Sequence, residues 1–299
     1  MTLRSGEVYF PEQSSSFVLP ETVSLFGFSI SFYGLFLVAA ALVGILVTVT
    51  VTRRRRQNVE WNITLLTIAI VCAVLGARLY YVLFEWERFM ENPPALFNIR
   101  NGGLAYFGAL FGAWFAVRWY SLKKNEDFFQ SADILALGAA TAAPFVWLGC
   151  FFAREPIGTF YDGVFAMEID AEYLPEYMDS SRVTQLYTRT RSVREAAYVS
   201  MHPIALYGAV LSVLCCIGLF VCLYRAKQKG TVFTLYLVMN SSVCILLEFF
   251  RADRYCVWGT KIPVNYIVAG VILFIVASGW GRRVWKNRKS KKIFFIHGQ

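Results

Sequence analysis

Seven apolar runs, at roughly 30–52, 61–84, 104–120, 131–152, 202–224, 231–250 and 262–281, are the feature that most constrains this chain. Each is about the length that a hydrocarbon layer of ~30 Å demands of a helix. A membrane span must satisfy its own backbone, and the sequence has no alternation of apolar and polar residues in ten-residue segments that would suit a barrel. Helices are therefore expected. Composition agrees: 57% of the 299 residues are hydrophobic, 16% are charged and the mean hydropathy is +0.49. The expected fold is an all-α integral membrane protein of seven transmembrane helices, occupying 30–281.

The charges orient it. Arg53 to Arg56, Lys123, Lys124, Arg225, Lys227, Lys229 and the tail from Arg282 to Lys292 hold more than half of the 29 basic residues. Only Glu60, Glu126, Asp127 and Asp133 accompany them on that side, and the remaining acids lie on the other. The positive-inside rule then sets the N-terminus outside and the C-terminus in the cytoplasm, with 282–299 as a basic cytoplasmic tail. The net charge of +9 is mostly a collar facing anionic lipid, so nucleic-acid binding is not implied. Residues 1–29 read as an extracytoplasmic segment without a cleavable signal, span one being its own export signal. The loop 153–201, with acidic patch Glu168 to Asp179 and basic set Arg182, Arg189, Arg191 and Arg194, reads as a small extracytoplasmic cap between spans four and five. It is too short for an independent core. The seven cysteines show no metal-ligand spacing, and no metal or cofactor is expected.

Ionisable residues at the edge of apolar helices are costly unless they are paired or face water, so chemistry is sought there. Arg78 in "GARLYYVLF" reads either as a snorkelling cation or as a ligand for an anion. In "NIRNGGLAYFGALFGA", Gly102, Gly103, Gly108 and Gly112 allow close backbone approach, which helix packing alone would explain. "VWLGCFFAREPIGT" sets Arg154 beside Glu155 where an apolar run ends. In "LLEFFRADRY", Glu248 and Arg251 share a helical face, with Asp253 just beyond. "MHPIALYGAV" opens the fifth span with His202 and Pro203, ordinary helix-start chemistry on its own. All of these fall on one side of the expected topology. They suggest one polar pocket at the outer leaflet, suited to an anionic lipid headgroup.

In this order, "SFYGLFLVAA", "GARLYYVLF", "GGLAYFGALFG", "LGCFFAREPIG", "HPIALYG" and "KGTVFTLYL…LEFFRAD" resemble the bacterial prolipoprotein diacylglyceryl transferases over about 28–275. The resemblance implies a multi-pass protein of the bacterial cytoplasmic membrane. It also implies transfer of the diacylglyceryl group of phosphatidylglycerol to the lipobox cysteine of a preprolipoprotein, releasing glycerol phosphate and forming a thioether. Matched to the family pattern, Tyr33, Glu155, Glu248 and His202 stand as catalytic residues. Arg78, Gly102, Gly103, Gly149, Gly158, Tyr207 and Arg251 stand as substrate-binding ones, and Arg154, at a position the pattern leaves open, is added to them as a cation in place of the one lost at Trp147. The pattern departs at Trp147 and Cys244, where the family has arginines, at Cys150 and Ala153 for asparagines and at Phe107 for a histidine or tyrosine. Asn240 stands for a tyrosine and Gly208 for a glutamate. A catalytically silent lipid- or lipoprotein-binding paralogue is therefore the alternative. A transporter or channel is less favoured, since charges near mid-membrane are lacking.

Overall fold

A computed structural model describes residues 7–10, 15–18, 22–25, 28–84, 86–91, 93, 105–170, 198–226, 228–254, 256–257, 260 and 262–279. Its helices are α1 Phe32–Arg54, α2 Val59–Phe84, α3 Trp86–Glu91, α4 Tyr106–Lys124, α5 Phe128–Phe152, α6 Ile204–Arg225, α7 Thr231–Glu248 and α8 Val264–Gly279. Of these, α1, α2, α5, α6 and α7 are long and apolar enough to cross a membrane. The expected third and seventh spans are α4, which falls outside that set, and α8, a shorter apolar helix. Outward-facing residues such as Leu46, Leu75, Val210 and Phe274 are more than half exposed. Helices this apolar on their outer faces belong to a multi-pass membrane protein.

Two glycine contacts set the helix packing. A Cβ on Gly108 or Gly112 of α4 would run into the backbone of α2 at Gly76 and Cys72, so these helices meet backbone to backbone. Likewise, a Cβ on Gly138 of α5 would strike Thr48 of α1. The basic ends of the helices are tied together by polar side chains. Arg55 donates from Nη2 to the Leu223 carbonyl at 2.7 Å, relieving an unpaired acceptor at the end of α6. Asp127 caps α5 through the amides of Phe129 and Gln130 and receives Lys229 at 2.9 Å. Asp133, inside α5, accepts the amides of Gly230 and Phe233 at 2.7 Å each and so caps α7 from a neighbouring helix.

At the opposite end lies a four-stranded antiparallel sheet of order β2-β1-β5-β6, made of β1 Glu7–Phe10, β2 Ser15–Val18, β5 Met167–Asp170 and β6 Tyr198–Met201. A separate hairpin, β3 Thr22–Leu25 with β4 Phe28–Ser31, leads into α1, whose first turn is capped by Ser31. The all-α expectation thus gains a sheet, and it draws on both the expected N-terminal segment and the expected cap. Val8, Ile157, Met167, Ile169, Val199 and Met201 form its buried core, with Phe151 and Phe152 at the end of α5 against it. Burying one face of the strands on helix ends lets so small a sheet persist. Residues 171–197, including most of the acidic patch and all of the basic set, lie outside the described residues, as does the tail 280–299.

Candidate functional site

Where α5 ends beneath the sheet, its chain turns in a six-residue motif. The Arg154 amide donates to the Phe151 carbonyl at 3.1 Å and the Glu155 amide to the Cys150 carbonyl at 3.0 Å, with Arg154 left-handed at φ 56°. Glycine usually takes this position, and a side chain there costs about 1 kcal/mol of backbone strain. The Arg154 side chain is buried.

The next residues form a strand clamped on both edges. Thr159 donates to the Phe250 carbonyl at 2.7 Å and Ala252 to the Ile157 carbonyl at 2.9 Å, joining it to the chain leaving α7. On the other edge, His202 donates to the Thr159 carbonyl at 3.1 Å, and Phe160 bridges Met201. Gly158 bridges Arg251, and any Cβ on it would collide with the His202 backbone. The family-matched Gly158, His202 and Arg251, scattered over the sequence, therefore meet because one glycine strand is laid between two others, and Glu155, three residues before Gly158, lies within reach of the Arg251 and Asp253 charges.

Charge is organised around Arg251. Its Nε donates to Asp253 Oδ1 at 3.0 Å and its Nη2 to Oδ2 at 3.2 Å, a two-pronged grip, while Nη1 meets Glu248 Oε2 at 3.4 Å. Glu248 is 2% exposed, and its Oε2 also accepts from Asn265 Nδ2 at 2.8 Å. Glu155 is reachable by water yet lies in a recess surrounded by protein. Burial there holds its carboxyl above the ordinary range, the Asp253 charge adds to this and Arg251 opposes it. His202 stacks on Tyr161 with ring centroids 4.1 Å apart, and its Nδ1 lies 3.4 Å from the Tyr207 hydroxyl. Burial lowers its pKa, so it is neutral at neutral pH. Tyr33 borders the same recess, because its ring rests on Gly149 at 3.3 Å from where a Cβ would be.

Not every expected residue is at this junction. Arg78 lies over the rings of Tyr81 and Phe89 at 5.8 and 5.2 Å, an aromatic setting that suits a cation at an interface. Gly102 and Gly103 lie outside the described residues. The departures from the family pattern have concrete settings. Phe107 is a buried core side chain packed with Tyr80, Cys244 and Ala269. Trp147 lays its indole directly on Gly208, so the two positions that depart as arginine and glutamate touch each other across α5 and α6. Asn240 donates to the Tyr106 hydroxyl, linking α7 to the start of α4. Sequence reasoning missed Tyr161 and Asn265. Nothing local marks Tyr161, whereas Asn265 is a lone amide in the first turn of an apolar helix.

The family model of prolipoprotein diacylglyceryl transferase matches residues 20–280. The chain is 29% identical over 247 residues to a phosphatidylglycerol–prolipoprotein diacylglyceryl transferase of Clostridium botulinum strain Langeland, covering 83% of this chain and 91% of that one. It is 27% identical over 278 residues to the protein of the same name from Listeria monocytogenes serotype 4b, covering 93% of each. With the match spanning the helices, the Gly158 strand and the Arg251 cluster together, the chain belongs to the prolipoprotein diacylglyceryl transferase family.

Proposed function

We propose that this protein is a diacylglyceryl transferase of the bacterial cytoplasmic membrane, taking phosphatidylglycerol as donor and the lipobox cysteine of a preprolipoprotein as acceptor. Its seven spans run with the N-terminus outside, so the sheet and the Gly158 junction face the outer leaflet. The observation that carries this reading is the convergence of Glu155, His202 and Arg251 on one glycine strand, in a chain matched by the family model almost throughout.

The chemistry assigns the parts. The acceptor sulfur bonds to the terminal glycerol carbon of the diacylglyceryl group while the bond from that carbon to the phosphate oxygen breaks. The thiol proton must leave first or in concert, because the thiolate is the nucleophile. Glu155, made more basic by burial, is the acceptor for it, with neutral His202 as the second base within the junction. The phosphate departs with the bonding electron pair, and Arg251 receives the developing charge in a low-dielectric recess. Tyr33 and Gly149 shape the wall beside Glu155, and Tyr207 orients His202.

The test supplies the purified protein with phosphatidylglycerol and a lipobox peptide and looks for the thioether by mass. Product in the wild type that Glu155→Gln cuts by tenfold or more is the expected result. Lipid binding without product would leave a silent binder.

A further inference from the structure

The charged chain at the end of α7 extends beyond Arg251 into α8. Asp253, Arg251, Glu248 and Asn265 form a row in which each member bonds the next: 3.0 and 3.2 Å across the Asp253 fork, 3.4 Å to Glu248 and 2.8 Å from Asn265. The charged members differ in burial. The side chain of Arg251 is 19% exposed, whereas those of Asp253 and Glu248 are 5% and 2% exposed. Of the three charged members, Arg251 is thus the one a lipid reaches, and Glu248 cannot touch one without leaving its seat.

Among the described residues, both hydrogen bonds to the Glu248 carboxyl group fall on one oxygen. Oε2 accepts from Arg251 and Asn265, while Oε1 is buried and has no hydrogen-bond partner among the described residues. A buried carboxylate held by so few bonds depends heavily on each. Without Asn265, the longer contact to Arg251 would be the one hydrogen bond left to the Glu248 carboxyl group among the described residues, and the guanidinium plane would lose its inner reference.

We propose that Asn265 is a positioning residue of this site: it seats Glu248 and, through it, sets the plane in which Arg251 meets the donor phosphate. Glu248 then acts on Arg251 and not on the lipid. This deepens the function proposed above and rests on its assignment of Arg251 to the phosphate. An arginine earns its place over a lysine by the orientation of a planar fork, so the residues that hold that plane share its effect.

The experiment compares Asn265→Leu, near in size without a donor, with Asn265→Gln, which keeps the amide. Turnover of the lipobox peptide, phosphatidylglycerol binding by native mass spectrometry and thermal unfolding in detergent are all measured. Asn265→Leu lowers kcat/KM and phosphatidylglycerol affinity about tenfold while the unfolding midpoint stays near wild type, and Asn265→Gln recovers most of the loss. In an Arg251→Lys background, where the fork is already gone, adding Asn265→Leu changes affinity by less than about twofold. Values for Asn265→Leu within twofold of wild type, a full tenfold loss in the Arg251→Lys background or no recovery in Asn265→Gln would overturn the proposal. Should Asn265→Leu fail to fold, the recovery is read from Asn265→Ser against Asn265→Gln. A wild type that binds phosphatidylglycerol without forming product sinks the transferase reading alone, since the binding series still decides this one.

Discussion

Replacing Gly158 by alanine tests how the site is assembled. The added Cβ would lie against the His202 carbonyl oxygen and at 2.9 and 3.0 Å from its amide nitrogen and carbonyl carbon, inside normal contact on every count. All three atoms are backbone, so no side chain can swing aside. The strand must instead move away from His202, stretching the bond from His202 to the Thr159 carbonyl, or toward Phe250, compressing bonds of 2.7 and 2.9 Å on its other edge. Overpacking of this kind costs typically 1–3 kcal/mol, and weakening a backbone bond adds about 1 kcal/mol. A loss of about 2–4 kcal/mol is expected. Because the shift disturbs the placing of His202 and Arg251 about Gly158, turnover should fall as well, by roughly a hundredfold, about 2.7 kcal/mol. Thermal unfolding in detergent gives the first number and thioether formation the second. A Gly158→Ala protein with wild-type midpoint and turnover within threefold would refute the clamped-strand account of the site.

Arg251→Lys keeps the charge but loses the fork on Asp253, so turnover should drop at least tenfold, about 1.4 kcal/mol, in the same assay. For pH, the sign follows from Glu155 being raised: the folded chain binds its proton more tightly than the unfolded one. Stability due to this group is therefore greatest in acid and falls as pH rises from the ordinary glutamate value through the raised one. Turnover should climb over that raised window, and Glu155→Gln should flatten both curves. Asp133→Ala removes the cap on α7 and should cost about 1–2 kcal/mol in thermal unfolding while leaving lipid specificity unchanged. Trp147→Arg or Gly208→Glu alone should destabilise the contact between α5 and α6, whereas the pair should recover in a double-mutant cycle; additive losses would show that the positions are not coupled.

Hydropathy and charge made the helices legible, because a membrane span is written in a continuous stretch of chain and each run needs no knowledge of its neighbours. The motifs likewise pointed to Glu155, Gly158, His202 and Arg251 before their meeting was visible. What was hidden depends on distant pairs. Tyr9 opposite Glu168 cannot be read from either segment, since pairing leaves no local pattern when both are short. The same holds for Asp133 capping a helix that starts about a hundred residues later. Trp147 and Gly208 looked like two separate losses until their contact made them one substitution across an interface. The expected third and seventh spans correspond to α4 and α8, which lie outside the five long apolar helices.

The clamped strand also fixes when in synthesis the site can exist. Glu155 and His202 enter the membrane well before the end of α7 has been made, and until then the Thr159 amide and Ile157 carbonyl lack the partners supplied by Phe250 and Ala252. A nascent chain stopped after α6 would hold both bases and no Arg251 beside them. That strand would be open along one edge, so on the mechanism proposed above the site is assembled only when the last helices have closed the strand.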